Sequence, residues 1–138
     1  MRRVIAAAVV VLAVAATTAG ATSSPTATVS ASATHVIASG SASGKAVLAT
    51  AGNLDPNPGT IEVVVSASPN QRVFVTWLVV CERNGVRLGQ WQGKYTTRTP
   101  ARRTLYRPTG HPSLCNVSAI AALRWGRGAI HVTLLDVS

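Results

Sequence analysis

Residues Arg72 to Glu82 read RVFVTWLVVCE. Val73, Val75, Trp77, Val79 and Cys81 share one parity and lay a continuous apolar row along one face of a β-strand. The alternate row, Arg72, Phe74, Thr76, Leu78, Val80 and Glu82, is apolar in its middle and polar at its ends. This pattern predicts a central strand with one face in the core and the other partly covered. Cys81 ends the inward row, where it can lock the strand to a facing one. Asn84-Gly85 follows directly, and such a pair suits a two-residue type I′ hairpin turn because both central residues need positive φ. The returning strand runs from Val86 to Arg98. It carries Trp91, Tyr95 and Thr97 on one parity, and Gln90, Gln92, Lys94 and Arg98 on the other. Gly89 and Gly93 predict a bulge or bend within it, and Thr99-Pro100 ends it.

Upstream, Thr60 to Ser68 alternates, with Ile61, Val63, Val65 and Ala67 inward and Glu62 and Ser66 outward. The Ser68–Gln71 connection is short enough to predict a hairpin with the central strand. Asn53 to Gly59 holds two prolines and a glycine and reads as a loop. Before it, Ala46–Thr50 fits a short edge strand. Ser39 to Gly44 (SGSASG) reads as a flexible connector, with a first short strand at Thr28–Ser30 or His35–Ala38. Downstream, Arg102–Arg107 fits a short strand and Pro108–Pro112 a turn. Cys115, Val117, Ala119, Ala121 and Leu123 then alternate with polar or small residues as in a strand, despite the alanine content. Arg124–Gly128 turns into a last strand with Ile130, Val132 and Leu134 inward.

The chain of 138 residues opens with Met1-Arg2-Arg3, an apolar run from Val4 to Ala16, and Ala19-Gly20-Ala21. A short cationic head, a hydrophobic stretch and small residues predict a signal peptide over residues 1–21, cleaved after Ala21. The run is shorter than the roughly 20 residues of a membrane span, so no span is expected after cleavage and the product is expected outside the cell. Residues 22–44, rich in Ser, Thr and Ala, read as a flexible arm, and residues 45–138 as the folded domain. Two cysteines in an exported chain read as one disulfide. Loss of Arg2 and Arg3 with the leader lowers the formal net charge from +9 to +7. A GC-rich codon bias accounts for this arginine excess as well as a polyanion partner does.

Six firm strands and one or two weaker ones, with no helix, predict an all-β antiparallel sandwich of about seven strands. Cys81 on a central strand, Trp91 on the next and Cys115 on a late strand resemble an immunoglobulin-like or fibronectin-like sandwich over Arg72 to Ser138. Trp77 serves equally well as the core tryptophan, and Ser113 stands where that fold's corner tyrosine would be. The resemblance, which extends to small secreted bacterial sandwiches of unassigned function, implies an inter-sheet Cys81–Cys115 disulfide and a binding role.

Little here fits catalysis. Outside the leader the acids are Asp55, Glu62, Glu82 and Asp136, with His35 in the arm, His111 in a turn and His131 on an outward parity. Glu62 and Glu82, on polar strand ends, read as bridging or solvated. The histidines lack metal-ligand spacing, so no metal, no cofactor and no enzyme activity are expected, and no nucleic-acid motif is present. Arg98, Arg102, Arg103 and Arg107 concentrate charge, either as an edge guarded against aggregation or as contacts for an anionic envelope polymer or extracellular protein. Trp91, Tyr95 and Trp125 are candidates for stacking on a sugar or other small ligand. The leading expectation is a non-enzymatic secreted binding protein. A carbohydrate- or small-ligand-binding module and a secreted enzyme inhibitor presenting Pro108–Pro112 are the alternatives.

Overall fold

A computed structural model describes residues 33–138. The expected signal peptide, its cleavage site and residues 22–32 of the N-terminal arm lie outside the described residues. Eight strands follow in order: β1 (Thr34–Lys45), β2 (Leu48–Pro56), β3 (Thr60–Ser68), β4 (Arg72–Arg83), β5 (Val86–Arg98), β6 (Ala101–Tyr106), β7 (Leu114–Ala122) and β8 (Arg127–Val137). They form two antiparallel four-stranded sheets, ordered β1-β8-β3-β6 and β2-β7-β4-β5. Among the described residues no helix is long and apolar enough to cross a membrane.

This strand order follows from one long hairpin. Asn84 (φ 52°) and Gly85 (φ 81°) make its tip, and Arg83 pairs with Val86 across them. Moving away from the tip, Arg72 pairs with Arg98, Ile61 with Tyr106, Leu48 with Ala122 and Thr34 with Val137. Each step forward on one arm is matched by a step back on the other. The ribbon folds over at three corners, where both arms cross from one sheet to the other. Each corner is pinned by a hydrogen bond between the two crossing segments: Thr99 N to Gln71 O (3.0 Å), Asn57 N to Ser113 O (2.9 Å) and Ala46 N to Gly126 O (3.0 Å). At the first corner the buried Thr99 hydroxyl also accepts from Gln71 N at 3.0 Å. A ribbon wrapped in this way is a jelly roll.

The antiparallel β-sandwich is as expected, but four finer expectations are corrected. The strand order is that of a jelly roll and departs from the immunoglobulin order, because hydrophobic parity marks core faces without saying which strands adjoin. β3 and β4 do not form a hairpin: they belong to different sheets, and Pro69 marks the crossing. Residues 39–44 run from the middle of β1 to just before its end, and residues 53–56 extend β2. The Cys81–Cys115 bond is formed, yet it joins neighbouring strands of one sheet rather than two sheets. Cys81 and Cys115 are direct register partners on β4 and β7, with Cα atoms 4.1 Å apart. Both are fully buried, as parity required. An inward side chain has lateral neighbours as well as partners across the core, and parity cannot separate the two.

The core lies between the sheets, with Ile61, Val63 and Val65 of β3 and Ile130, Val132 and Leu134 of β8 facing Val73, Val75 and Val79 of β4 and Val117 of β7. On one side the edge strands β1 and β2 close it. On the other, aromatic rings pack between β5 and β6. Trp91 stacks on Tyr106 with centroids 4.3 Å apart. Gly93 leaves space for the Trp77 indole, whose Nε1 would lie 2.8 Å from a Cβ added there.

Candidate functional site

The ribbon brings three polar side chains from distant points of the chain to one end of the sandwich. His35 (β1) and Asp136 (β8) are register partners, and Asp55 comes from β2 in the opposite sheet. Asp55 is 0% exposed and Asp136 2%, whereas the His35 side chain is 58% exposed. The distances are 3.4 Å from His35 Nε2 to Asp55 Oδ1 and 3.9 Å from His35 Nδ1 to Asp136 Oδ2. Gly59 N donates to Asp136 Oδ1 at 2.8 Å. A Cβ at residue 59 would sit 2.6 Å from that oxygen, so the close approach requires glycine. Neither oxygen of Asp55 receives a hydrogen bond from the described residues.

Burial, reinforced by the negative charge of Asp136 and opposed by His35, raises the Asp55 carboxyl to about 6. An acid with a raised pKa favours folding when protonated. In chelator-treated protein its contribution is therefore present below pH ~4 and is lost as pH rises through about 6. A shift of this size corresponds to about 3 kcal/mol. The expected result is a fall in melting temperature between pH 4 and 7 that is larger in the wild type than in Asp55→Asn, followed by calorimetry. Parallel pH profiles for the two proteins would refute it.

Parity carried the signal that sequence reading missed. Asp55 continues the row of Ala49 and Ala51, and Asp136 continues Ile130, Val132 and Leu134. Acids on an apolar row are rare because uncompensated burial of a carboxylate is costly. The prolines after Asp55 favoured a loop there. The expectation that no metal-ligating cluster exists rested on histidine spacing. That spacing is uninformative when the donors come from three strands.

Beside this cluster, an open cleft of about 660 Å³ is lined by Arg83, Asn84, Arg107, His111, Ser113 and neighbouring residues, with no Asp or Glu side chain. Ser113 fixes its floor: its hydroxyl accepts from Asn84 N at 3.1 Å, and its own N–H donates to Glu82 O. Arg83 donates to Gly110 O at 2.9 Å. Among the described residues, neither Arg83 nor Arg107 is in a salt bridge.

The four candidate arginines do not converge. Arg102 pairs with Glu62, the first of the two roles, bridging or solvated, expected of that acid, and Glu62 holds the guanidinium more firmly protonated. Arg103 lies 4.2 Å over the Tyr95 ring. Burial raises the Tyr95 hydroxyl, against the effect of Arg103. Arg98 sits opposite Arg72 at the far end of the sandwich, so only Arg107 reaches the cleft. The candidate stacking residues separate as well. Trp91 and Tyr95 are half-buried against the core, while Trp125 is 80% exposed beside a groove containing Phe74 and Arg124. Family models and curated proteins yield no match to this chain, so the reading of the site rests on its own residues.

Proposed function

We propose that the protein is an exported, non-enzymatic binding module that takes an anionic group of an envelope polymer into the Arg83–Arg107 cleft. The observation that carries this reading is a pair of guanidinium groups lining one cleft that has no carboxylate side chain among its lining residues. Arginine favours such contacts because its planar fork binds phosphate or carboxylate through two parallel hydrogen bonds. The hydrogen bonds that Ser113 makes with Asn84 and Glu82 hold this part of the cleft in place before a ligand arrives. The leader-like N-terminus and the disulfide support a role outside the cytoplasm.

The reading is tested on immobilised polyphosphate. Replacing Arg83 and Arg107 together with Ser is expected to weaken retention at least about tenfold, given roughly 1.5–3 kcal/mol per charge-assisted hydrogen bond. Melting temperature should stay nearly unchanged, because both side chains are exposed. Replacing Arg102 and Arg103 is expected to matter less, since Glu62 and Tyr95 already engage them. Equal losses from the two pairs would return the binding to diffuse charge. The exposure of Trp125 favours a second reading, a sugar-binding face. Quenching of tryptophan emission by a neutral oligosaccharide, with no retention on polyphosphate, would favour that reading over the first.

A further inference from the structure

We propose that His35, Asp55 and Asp136 bind one first-row divalent cation, with Zn²⁺ the best match, and that this ion clamps β1, β2 and β8 at the end of the sandwich. The site shares Gly59 with the neighbouring anion cleft but none of the cleft's arginines.

Two observations converge on it. One donor atom from each of the three side chains can be chosen so that all lie within 4.8 Å of one another. Asp55, fully buried and aimed into this group, makes no well-formed hydrogen bond at either oxygen among the described residues, and the His35 imidazole faces it at 3.4 Å. A buried carboxylate is retained when it is neutralised or coordinates a metal. Two acids outnumber the single imidazole here, and a divalent cation balances both.

The donor set selects the ion. Zn²⁺ binds imidazole nitrogen and carboxylate oxygen at about 2.0–2.2 Å, which places neighbouring donors of a tetrahedron about 3.3–3.6 Å apart. The 3.4 Å separation of His35 and Asp55 already meets this. The 3.9 Å distance to Asp136 is measured from the other ring nitrogen, Nδ1. One imidazole nitrogen and one oxygen of each acid lie within 4.8 Å of one another, and rotation of the exposed imidazole brings that single nitrogen toward both acids. The Gly59 N–H holds Asp136 Oδ1 and orients the carboxylate, as outer partners of metal ligands do. Water supplies the fourth position from the solvent side of His35. Ca²⁺ fits poorly, because it takes six to eight oxygen ligands.

The test uses the purified protein after chelator treatment, without a histidine tag, titrated with Zn²⁺, Co²⁺ and Ca²⁺ at pH 7.5. Zn²⁺ at a hundredfold excess over its Kd is expected to raise the melting temperature by on the order of 10 °C, with one ion bound per chain. Co²⁺ should develop the visible absorption of a tetrahedral site. Asp55→Asn and His35→Ala should both abolish these responses. His35→Ala alters an exposed side chain, so its folding is secure even if Asp55→Asn proves unstable. A double His111→Ala, His131→Ala variant should respond like the wild type. The proposal is overturned by the absence of any Zn²⁺ or Co²⁺ response, by a response that survives in His35→Ala, or by a shift produced by Ca²⁺ alone.

Discussion

Reduction of the Cys81–Cys115 disulfide is expected to lower the melting temperature by on the order of 15 °C, measured by calorimetry on native and reduced protein. The bond closes a separation of 34 residues. On the chain-entropy account, cross-linking a loop of that length stabilises the fold by about 3–4 kcal/mol, and each kcal/mol moves the melting temperature of a domain this size by roughly 4–8 °C. The effect arises in the unfolded chain, so it is the same whether the bridge crosses the core or joins neighbouring strands. Its lateral position adds a second expectation. Cys81 and Cys115 are already register partners in the β4–β7 ladder, so reduction removes the covalent link but leaves that ladder in place. The reduced protein should keep its far-ultraviolet circular dichroism at room temperature. A melting shift below about 3 °C would refute the stability claim, and loss of the strand signal would refute the lateral one.

Gly40→Ala is expected to cost about 3 kcal/mol or more, at or above the upper end for overpacking a close-packed interior. Gly40 lies in β1, and a Cβ there would fall 1.9 Å from Thr50 O and 2.8 Å from the Thr50 carbonyl carbon of β2. These are backbone atoms of the facing sheet, so no side chain can rotate away. Asn53 Nδ2, donating to Ile37 O at 3.3 Å, ties the same two strands together. The sign of the effect decides between two readings of Ser39 to Gly44. In a flexible connector, Gly→Ala would be neutral or mildly stabilising, because it restricts the unfolded chain. In a strand closing the sandwich edge it is strongly destabilising. Ser39→Ala, at a neighbouring exposed position, serves as the control and should stay within about 0.5 kcal/mol. A Gly40→Ala protein as stable as the control would refute the closed edge.

Strand identity was legible wherever one face is apolar and the other is not. β3, β4, β7 and β8 carry that alternation through Ile61 to Ala67, Val73 to Cys81, Cys115 to Leu123 and Ile130 to Leu134, and Asn84-Gly85 marked the hairpin tip by its need for positive φ. Of β1 only the stretch His35–Ala38 reads as a candidate strand; the rest was not legible, because Ser, Ala and Gly in close backbone contact have the composition of a linker. The end of β2 was hidden by prolines, which an edge strand tolerates.

The sequence by itself determined an all-β chain, its central hairpin, the core faces of its main strands and the pairing of its only two cysteines. Those features depend on period-two alternation, on turn chemistry and on a count, all of which are local or compositional. Only the tertiary structure decided which strands adjoin, that the disulfide is lateral, and that Arg102 and Arg103 are engaged while Arg83 and Arg107 share a cleft. It alone brought His35, Asp55 and Asp136 together. Parity says that a side chain points into the core but not what it meets there, and residues separated by a hundred positions become neighbours only when the ribbon folds over at its corners.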